Sequence, residues 1–366
     1  MKSTLRFFVK DKQIVLPDSH LKNVNNILIV RQHNQLGDML CALPLFAAVR
    51  KQFPRSHITL IASPFNCRAF LDDDGNYFDE IVIYQKSNLF HYVKFYKMLR
   101  GEKYDVGIVP STVSISRTSH FVNYFAGARI TVGAKSIDGR QNEYDYLLNV
   151  KSDFVWKGNK THQVQKNLDI VRQIGCDLNI EEIHSVSLTL NDKEINFAKE
   201  YLNNSFPDKT RPVIAFHPGA GKPQNRWSVE NYIGLISLLR EKFNAYILIT
   251  SGYMDVKITD EIAKSLKAKD IPFKIIGKPT IREIGAVLSM INLYITNDTG
   301  TMHVAGYCGA KVLSLFAQTK GYEWSPLKKD CSYIQSSDDD INKISVDKVF
   351  NEACKIISEQ TMSSGQ

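Results

Sequence analysis

Residues 293–309 read "LYITNDTGTMHVAGYCG", an apolar, β-branched run that turns polar at Asn297 and becomes helix-compatible from Met302 to Cys308. The pattern predicts a strand, a turn at Asn297-Asp298-Thr299-Gly300 and a helix beyond it. Asp298 or Thr299 can cap that helix by accepting a backbone N–H bond, and Gly300 lets the main chain approach a ligand with no Cβ in the way. The helix start also offers unpaired N–H groups and the positive end of its dipole, which suit a phosphate. Taken alone, the quartet also fits an ordinary helix cap.

The same grammar extends outward from this stretch. "PVIAFHP" (212–218), "AYILITS" (245–251), "FKIIG" (273–277) and "KVLSLF" (311–316) read as further strands, with helices near 228–243, 255–268, 281–290 and 300–308. Before a polar stretch around Asn191, "NILIVRQ" (26–32), "HITLIAS" (57–63), "EIVIY" (80–84), "YDVGIVP" (104–110) and "ARITVGA" (128–134) alternate with helical runs, "GDMLCALPLFAAVRKQFP" (37–54) among them. Strand alternating with helix argues for mostly parallel sheets covered on both faces. The fold class is therefore α/β, with two doubly wound domains over 26–190 and 191–345. An N-terminal arm or hairpin (1–25) precedes them, and a C-terminal helix with a disordered tail (346–366) follows.

Composition narrows the function classes. With 366 residues, 43% hydrophobic and 23% charged, the chain can bury two cores. The longest apolar run, Met39 to Val49, contains Pro44 and is too short to span a bilayer, so the expectation is a soluble, cytoplasmic protein. Six scattered cysteines with no C-x-x-C pair suggest neither a zinc site nor a disulfide framework. A net charge of +8 favours an anionic partner: nucleic acid, an acidic membrane face or a phosphorylated ligand. The basic residues form no single stripe, which gives nucleic acid little support.

Two further turns carry candidate chemistry. In "RQHNQLGDML" (31–40), Asp38 opens a helix, where local N–H bonds and the dipole should keep it ionised. It could serve as a general base or simply as a helix-terminal charge. In "FHPGAGKPQNRWSVENY" (216–232), Gly219 and Gly221 free the backbone while Lys222 and Arg226 offer phosphate donors, although a flexible loop with solvated charges fits as well. The run fails as a P-loop because Phe216 stands where the first glycine should be and Pro223 follows Lys222; Gln224 breaks the G-x-G-x-x-G fingerprint. His303 can look back to the Gly300 turn or serve as a core histidine. Asp72-Asp73-Asp74 and Asp338-Asp339-Asp340 read as solvated loops rather than metal ligands.

Together, "ILIVRQHNQLGDMLCALPLFAAVRKQFPRSHITLIAS", "AFHPGAGKPQNRWSVENY" and "IGKPTIREIGAVLSMINLYITNDTGTMHVAGYCGAKVLSLFAQTKGYEWSP" resemble glycosyltransferase family 9, the ADP-heptose:lipopolysaccharide heptosyltransferases. The looser "FAGARITVG" and "THQVQKNLDIVRQIG" join the resemblance, which covers about residues 26 to 327. It implies the GT-B fold, two Rossmann-like domains facing a central cleft, and an inverting, metal-independent transfer of heptose from ADP-heptose to a lipopolysaccharide core or related acceptor. The nucleotide sugar is then a substrate, and no cofactor or metal is expected.

Carried over by motif, the base is Asp38, and Arg226, Asp298, Thr299, Gly300 and His303 bind the donor; Gly219, Gly221 and Lys222 of the glycine-rich basic turn join them as donor-binding candidates. Asp255, after a second-half strand, stands where an acid can hydrogen-bond the nucleoside ribose. Arg117, Arg129, Lys135 and Arg140 are placed to meet an anionic glycolipid or oligosaccharide acceptor, with peripheral contact at the inner-membrane face and no nucleic acid. Arg226 stands where the family often has lysine, and the arm before Asn26 is additional. Two alternatives remain at this point: a family member using another nucleotide sugar, and a catalytically silent nucleotide-binding scaffold.

Overall fold

The computed structural model describes Leu21 and residues 23–71, 77–85, 88–252 and 255–363. Most of the expected arm, Asp72-Asp73-Asp74 and the last three residues lie outside these. The chain forms two compact units, the first ending at Val186 and the second beginning at Ser187. The first contains strands β1 (Asn26–Arg31), β2 (His57–Ala62), β3 (Glu80–Ile83), β4 (Val106–Ile108), β5 (Ile130–Ile137), β6 (Arg140–Gln141) and β7 (Val150–Phe154). Its helices are α1 (Leu36–Leu40), α2 (Leu43–Gln52), α3 (Leu89–Gly101), α4 (Arg117–Ala126), α5 (Gln163–Arg172) and α6 (Ile180–Ser185). The second contains β8 (Val213–His217), β9 (Tyr246–Ile249), β10 (Lys274–Ile275), β11 (Leu293–Asn297), β12 (Val312–Phe316) and β13 (Cys331–Gln335). Its helices are α7 (Asp192–Ser205), α8 (Val229–Phe243), α9 (Val256–Ala268), α10 (Ile281–Ser289), α11 (Gly300–Tyr307), α12 (Gly321–Trp324) and α13 (Val346–Ser363).

The first sheet runs β3-β2-β1-β4-β5, with β6 and β7 both paired to β5, and the second runs β10-β9-β8-β11-β12-β13. All pairs in the second sheet are parallel, whereas β6 folds back antiparallel on β5. Central strands read as unbroken apolar runs because helices cover both faces: Ile27, Leu28 and Ile29 of β1 and Leu293, Tyr294 and Ile295 of β11 are fully buried. In the second unit one face packs Ile214, Phe216, Trp227, Leu235 and Leu313, and the other packs Leu248, Val287, Tyr294, Met302 and Val312.

Two elements differ from the sequence-based expectation. The helix expected over 37–54 is broken into α1 and α2, with Pro44 in the first turn of the second piece. Proline has no N–H to continue the ladder and its ring crowds the preceding turn, so the chain restarts its helix there. The outer strands β7 and β13 were not expected, because "VKSDF" and "CSYIQ" have too few apolar residues to announce themselves. Asp338 and Asp340 form local turns, accepting the backbone N–H of Asp340 and Asn342, at 2.8 Å and 2.9 Å. Among the described residues no helix is long and apolar enough to cross a membrane.

Candidate functional site

Each sheet reverses its winding between two central strands, β1 and β4 in the first and β8 and β11 in the second. Loops leaving the C-terminal ends of such a pair diverge to opposite faces and open a crevice, where doubly wound sheets bind ligands. The motifs "RQHNQLGD" and "HPGAGK" follow β1 and β8, and "NDTG" closes β11. Topology thus gives them a common kind of position, one set in each unit.

In the first unit, Arg31 ends β1 and is buried, directly after the apolar run Ile27 to Val30. Its Nη1 donates to the carbonyl of Pro110 at 2.6 Å and to Asn167 Oδ1 at 3.1 Å, and its Nη2 donates to the carbonyl of Asp38 at 2.6 Å. One guanidinium therefore ties α1 to the loop after β4 and to α5. From below, Ser63 Oγ donates to the carbonyl of His33 at 3.2 Å, and Asn66 Nδ2 donates to the same carbonyl. A turn without regular structure is held by side chains satisfying its carbonyls.

Asp38 lies half-buried in the first turn of α1. Burial raises its pKa above the ordinary aspartate value, and the nearby Arg31 and His33 only partly offset this. The expectation that local N–H bonds and the dipole would dominate is corrected. A five-residue helix has little dipole to offer, and desolvation of the charged form outweighs it. The carboxylate is thus tuned toward accepting a proton. Arg31, Asn66 and Asn167 were missed by the sequence reading; a lone arginine ending an apolar strand was the available signal.

The four basic candidates of this unit do not share one edge. Arg117 begins α4, after β4, and Lys135 and Arg140 lie on the β5–β6 hairpin, all toward the C-terminal edge of the parallel strands. Arg129 immediately precedes β5 and pairs with Asp105, which precedes β4, at 3.4 Å. It therefore lies at the opposite, N-terminal edge, apart from the other three. Lys135 is paired with Asp153 at 3.1 Å. The α4 turn and the hairpin are joined through buried His120, whose Nδ1 donates to the carbonyl of Ser116 at 2.7 Å. Its Nε2 accepts from Asn142 Nδ2 at 2.9 Å, and Asn142 Nδ2 also donates to the carbonyl of Ala134 at 2.7 Å. Burial lowers the His120 pKa, in keeping with this neutral tautomer.

In the second unit, Thr299, one of the two cap candidates of the Asn297–Gly300 turn, does not cap the helix. Thr299 is the residue before α11, but its hydroxyl makes no cap bond. It lies 2.9 Å from Thr301 Oγ1 and 3.3 Å from Thr296 Oγ1. The hydroxyl is drawn sideways into a threonine chain, away from the helix-start N–H groups, and an anion can use those groups. Asn297 is fully buried and donates through Nδ2 to the carbonyls of Pro218 and Gly219, at 2.9 Å and 3.1 Å, while its Oδ1 accepts from Trp227 N at 3.3 Å. It stitches the β11 turn to the loop after β8. His303 is buried within α11.

That loop is organised around Asp255, which is buried at the start of α9. His217 Nε2 stands 3.5 Å and Arg226 Nη2 3.6 Å from its carboxylate oxygens. Burial pushes the Asp255 pKa up, but the hydrogen bond and charge of His217 and then the charge of Arg226 outweigh it, leaving the carboxyl below the ordinary value. Gly219 is required here: a Cβ would lie 2.1 Å from the Asp255 carboxyl carbon. No such demand exists at Gly221, where a Cβ would meet nothing within 4 Å. Arg226 donates through Nε and Nη2 to the carbonyl of Ala220, at 3.2 Å and 3.0 Å, and its Nη1 has no partner among the described residues. Lys222, four residues earlier in the loop, is exposed. The arrangement offers cationic donors on the loop that Asn297 ties to the turn before α11.

Comparison with known proteins bears on the family and the fold. The family model described as glycosyltransferase family 9 (heptosyltransferase) matches residues 92–352. A lipooligosaccharide heptosyltransferase 2 of Campylobacter jejuni is 22% identical over 296 residues, covering 80% of this chain and 81% of the relative. Among solved structures, a family 9 glycosyl transferase from Veillonella parvula superposes with a TM-score of 0.77 at 17% identity, over 92% of this chain and 97% of the other. The ADP-heptose lps heptosyltransferase II of Escherichia coli gives a TM-score of 0.73 at 20% identity, over 92% and 99%. These likenesses show a shared fold, GT-B with its two Rossmann-like units.

Proposed function

Because the chain belongs to glycosyltransferase family 9, we propose that it transfers a heptose from ADP-heptose to a lipopolysaccharide core or related acceptor, with inversion and without a metal. The observation that carries this reading is Asp38, a half-buried carboxylate at the first sheet's switch point whose proton affinity is raised. An acceptor hydroxyl must lose its proton as it attacks the anomeric carbon, and a base with an elevated pKa takes it better than an ordinary aspartate. Arg31 holds Asp38 through its backbone carbonyl, so the carboxylate stays available.

The departing ADP gains negative charge as the glycosidic bond breaks. The α11 start, the outer nitrogen of Arg226 and Lys222 supply positive potential for its phosphates. In this reading Asp298, Thr299 and Gly300 form the phosphate turn, Gly219 and Gly221 give the loop backbone, and His303 supports the turn from inside the helix. Asp255 acts by orienting Arg226 and His217, which leaves little of its carboxylate for the ribose. Arg117, Lys135 and Arg140 face the acceptor's phosphates or acidic sugars.

The test is transfer and thermal stabilisation with ADP-heptose, UDP-sugars and GDP-sugars. Stabilisation and transfer with ADP-heptose are expected. Stabilisation with UDP- or GDP-sugars alone would replace the donor, and nucleotide binding with neither transfer nor donor hydrolysis, across varied acceptors, would leave a silent scaffold.

A further inference from the structure

Helix α3 carries its apolar residues on two sides, and among the described residues only one of them is packed against the fold. Tyr92, Phe95, Tyr96 and Leu99 face inward, where Tyr84 meets Phe95 edge-on at 5.7 Å and Tyr96 meets Phe125 of α4 at 5.4 Å. The opposite face exposes Phe90, Val93 and Met98, and Phe90, at 81% accessible, is the most exposed large apolar side chain among the described residues. A helix on a solvated protein surface is expected to be polar there. Here the outward face instead interleaves apolar side chains with Lys94, Lys97 and Arg100, all exposed.

The charge is as one-sided as the hydrophobicity. There is no aspartate or glutamate between Ile81 and Gly101, nor between Val106 and Ile137. Tyr96, Lys97, Arg100 and Phe125 line a shallow groove between α3 and α4. From Phe125 the aromatic row continues along α4 to Phe121, stacked at 6.0 Å, and to Arg117, whose guanidinium lies 5.6 Å over the Phe121 ring. The patch therefore joins the end of α4 where the acceptor candidates begin.

Apolar side chains at the crest of a helix, interleaved with cations on long flexible stems, match the chemistry of an interfacial helix. We propose that the outward face of α3, with the Phe125 end of α4, docks on an anionic lipid surface. Phe90, Val93 and Met98 enter the headgroup boundary while Lys94, Lys97 and Arg100 meet lipid phosphates. An acidic protein partner would satisfy the cations but leave these scattered apolar tips without a groove to fill. The surface stands independently of the donor assignment and adds to the function proposed above a place where a lipid-linked acceptor is met.

The experiment is flotation of the full chain with phosphatidylcholine vesicles, with and without phosphatidylglycerol. Binding is expected to the anionic vesicles, weakly to the neutral ones, and to decline with salt. Lys94→Gln and Lys97→Gln should each weaken it about fivefold. Phe90→Ser should weaken it roughly tenfold by removing buried apolar area. Ile180→Ser, at an exposed apolar position away from α3, should bind as the parent does.

Failure to bind anionic vesicles, equal binding to neutral ones, or parent-like binding by the α3 variants would overturn the proposal. A concentration-dependent dimer abolished by Phe90→Ser, or preference for a nucleic-acid duplex over vesicles, would assign the face elsewhere and overturn it too. Transfer to a delipidated, soluble acceptor should be unchanged in all three α3 variants. A loss of transfer in the parent, with vesicle binding intact, would count against the enzymatic reading alone.

Discussion

Asp38 and Asp255 occupy the same kind of place, the turn between a parallel strand and its helix, yet their proton affinities move in opposite directions. Burial acts upward on both. The difference lies in where the neighbouring cation spends its donors. Arg31 is bonded to the carbonyls of Pro110 and Asp38 and to Asn167, and makes no bond to the Asp38 carboxylate. Asp255 instead receives His217 and Arg226 directly. The same residue type is thereby prepared to accept a proton in one unit and to remain a fixed charge in the other.

Substituting Asp38 should have the greatest consequence for transfer. Asp38→Asn should leave the fold and ADP binding intact and lower transfer by roughly 10²–10⁴-fold, the usual contribution of a positioned base. The sign of its stability effect follows from the raised pKa. The folded state holds the proton more tightly than the unfolded chain, so this group's contribution falls as pH rises from the ordinary aspartate value near 3.8 through the folded value. Denaturant titrations should therefore find the Asn variant equal to or more stable than the parent at neutral pH, with the difference vanishing in acid. Near wild-type turnover by a normally folded variant would remove Asp38 as the base.

On the other side, Arg226→Ala deletes the cation rather than the acid. Losing charge-assisted bonds to the donor phosphates should weaken nucleotide binding roughly ten- to a hundredfold. Calorimetry with ADP measures it; unchanged affinity would leave Arg226 as only a bracket for the Ala220 carbonyl.

Asp255→Asn probes the acid itself, with a smaller expected effect. Its depressed pKa contributes stability that is present above the ordinary value near 3.8 and is lost as pH falls through the lower folded value. The parent should be more stable than the variant at neutral pH, and the gap should close in acid, opposite to the course expected for Asp38→Asn. ADP affinity should fall only as far as Arg226 loses its orientation. A gap independent of pH would mean that Asn preserves what the carboxylate does.

What the sequence disclosed is local. The strand-to-helix break at Thr296 to Gly300, the glycine-rich loop and the alternating elements all announce themselves through neighbours in the chain, and the two-unit α/β fold follows from them. What it concealed is held by contacts far apart in sequence. Asn297 reaches back to Pro218 and Gly219, and Arg31 reaches forward to Asn167. Gly219 reads as a flexible-loop residue but is demanded by a carboxylate 36 positions later. Periodicity has no access to such pairings, whereas the sheet edge on which a strand-flanking residue falls can be read from its side of the strand.

Arg129 and Arg117 flank opposite ends of the parallel strands. Arg129 precedes β5, and its pair with Asp105 is exposed, so Arg129→Ala should cost roughly half a kcal/mol or less and change transfer by less than about twofold. Asp105 keeps its own work in the variant, because it accepts from the backbone N–H groups of Asn25 and Asn26 at 2.8 Å and 3.2 Å. Arg117→Ala, at the C-terminal edge, should instead raise the KM for a phosphorylated acceptor roughly tenfold while leaving ADP affinity unchanged. The two arginines are alike in type and both exposed, and differ in which end of the parallel strands they flank. If Arg129→Ala raised the acceptor KM as much as Arg117→Ala, sheet polarity would not be what selects the acceptor-facing residues, and the assignment of Arg117, Lys135 and Arg140 would fall with it.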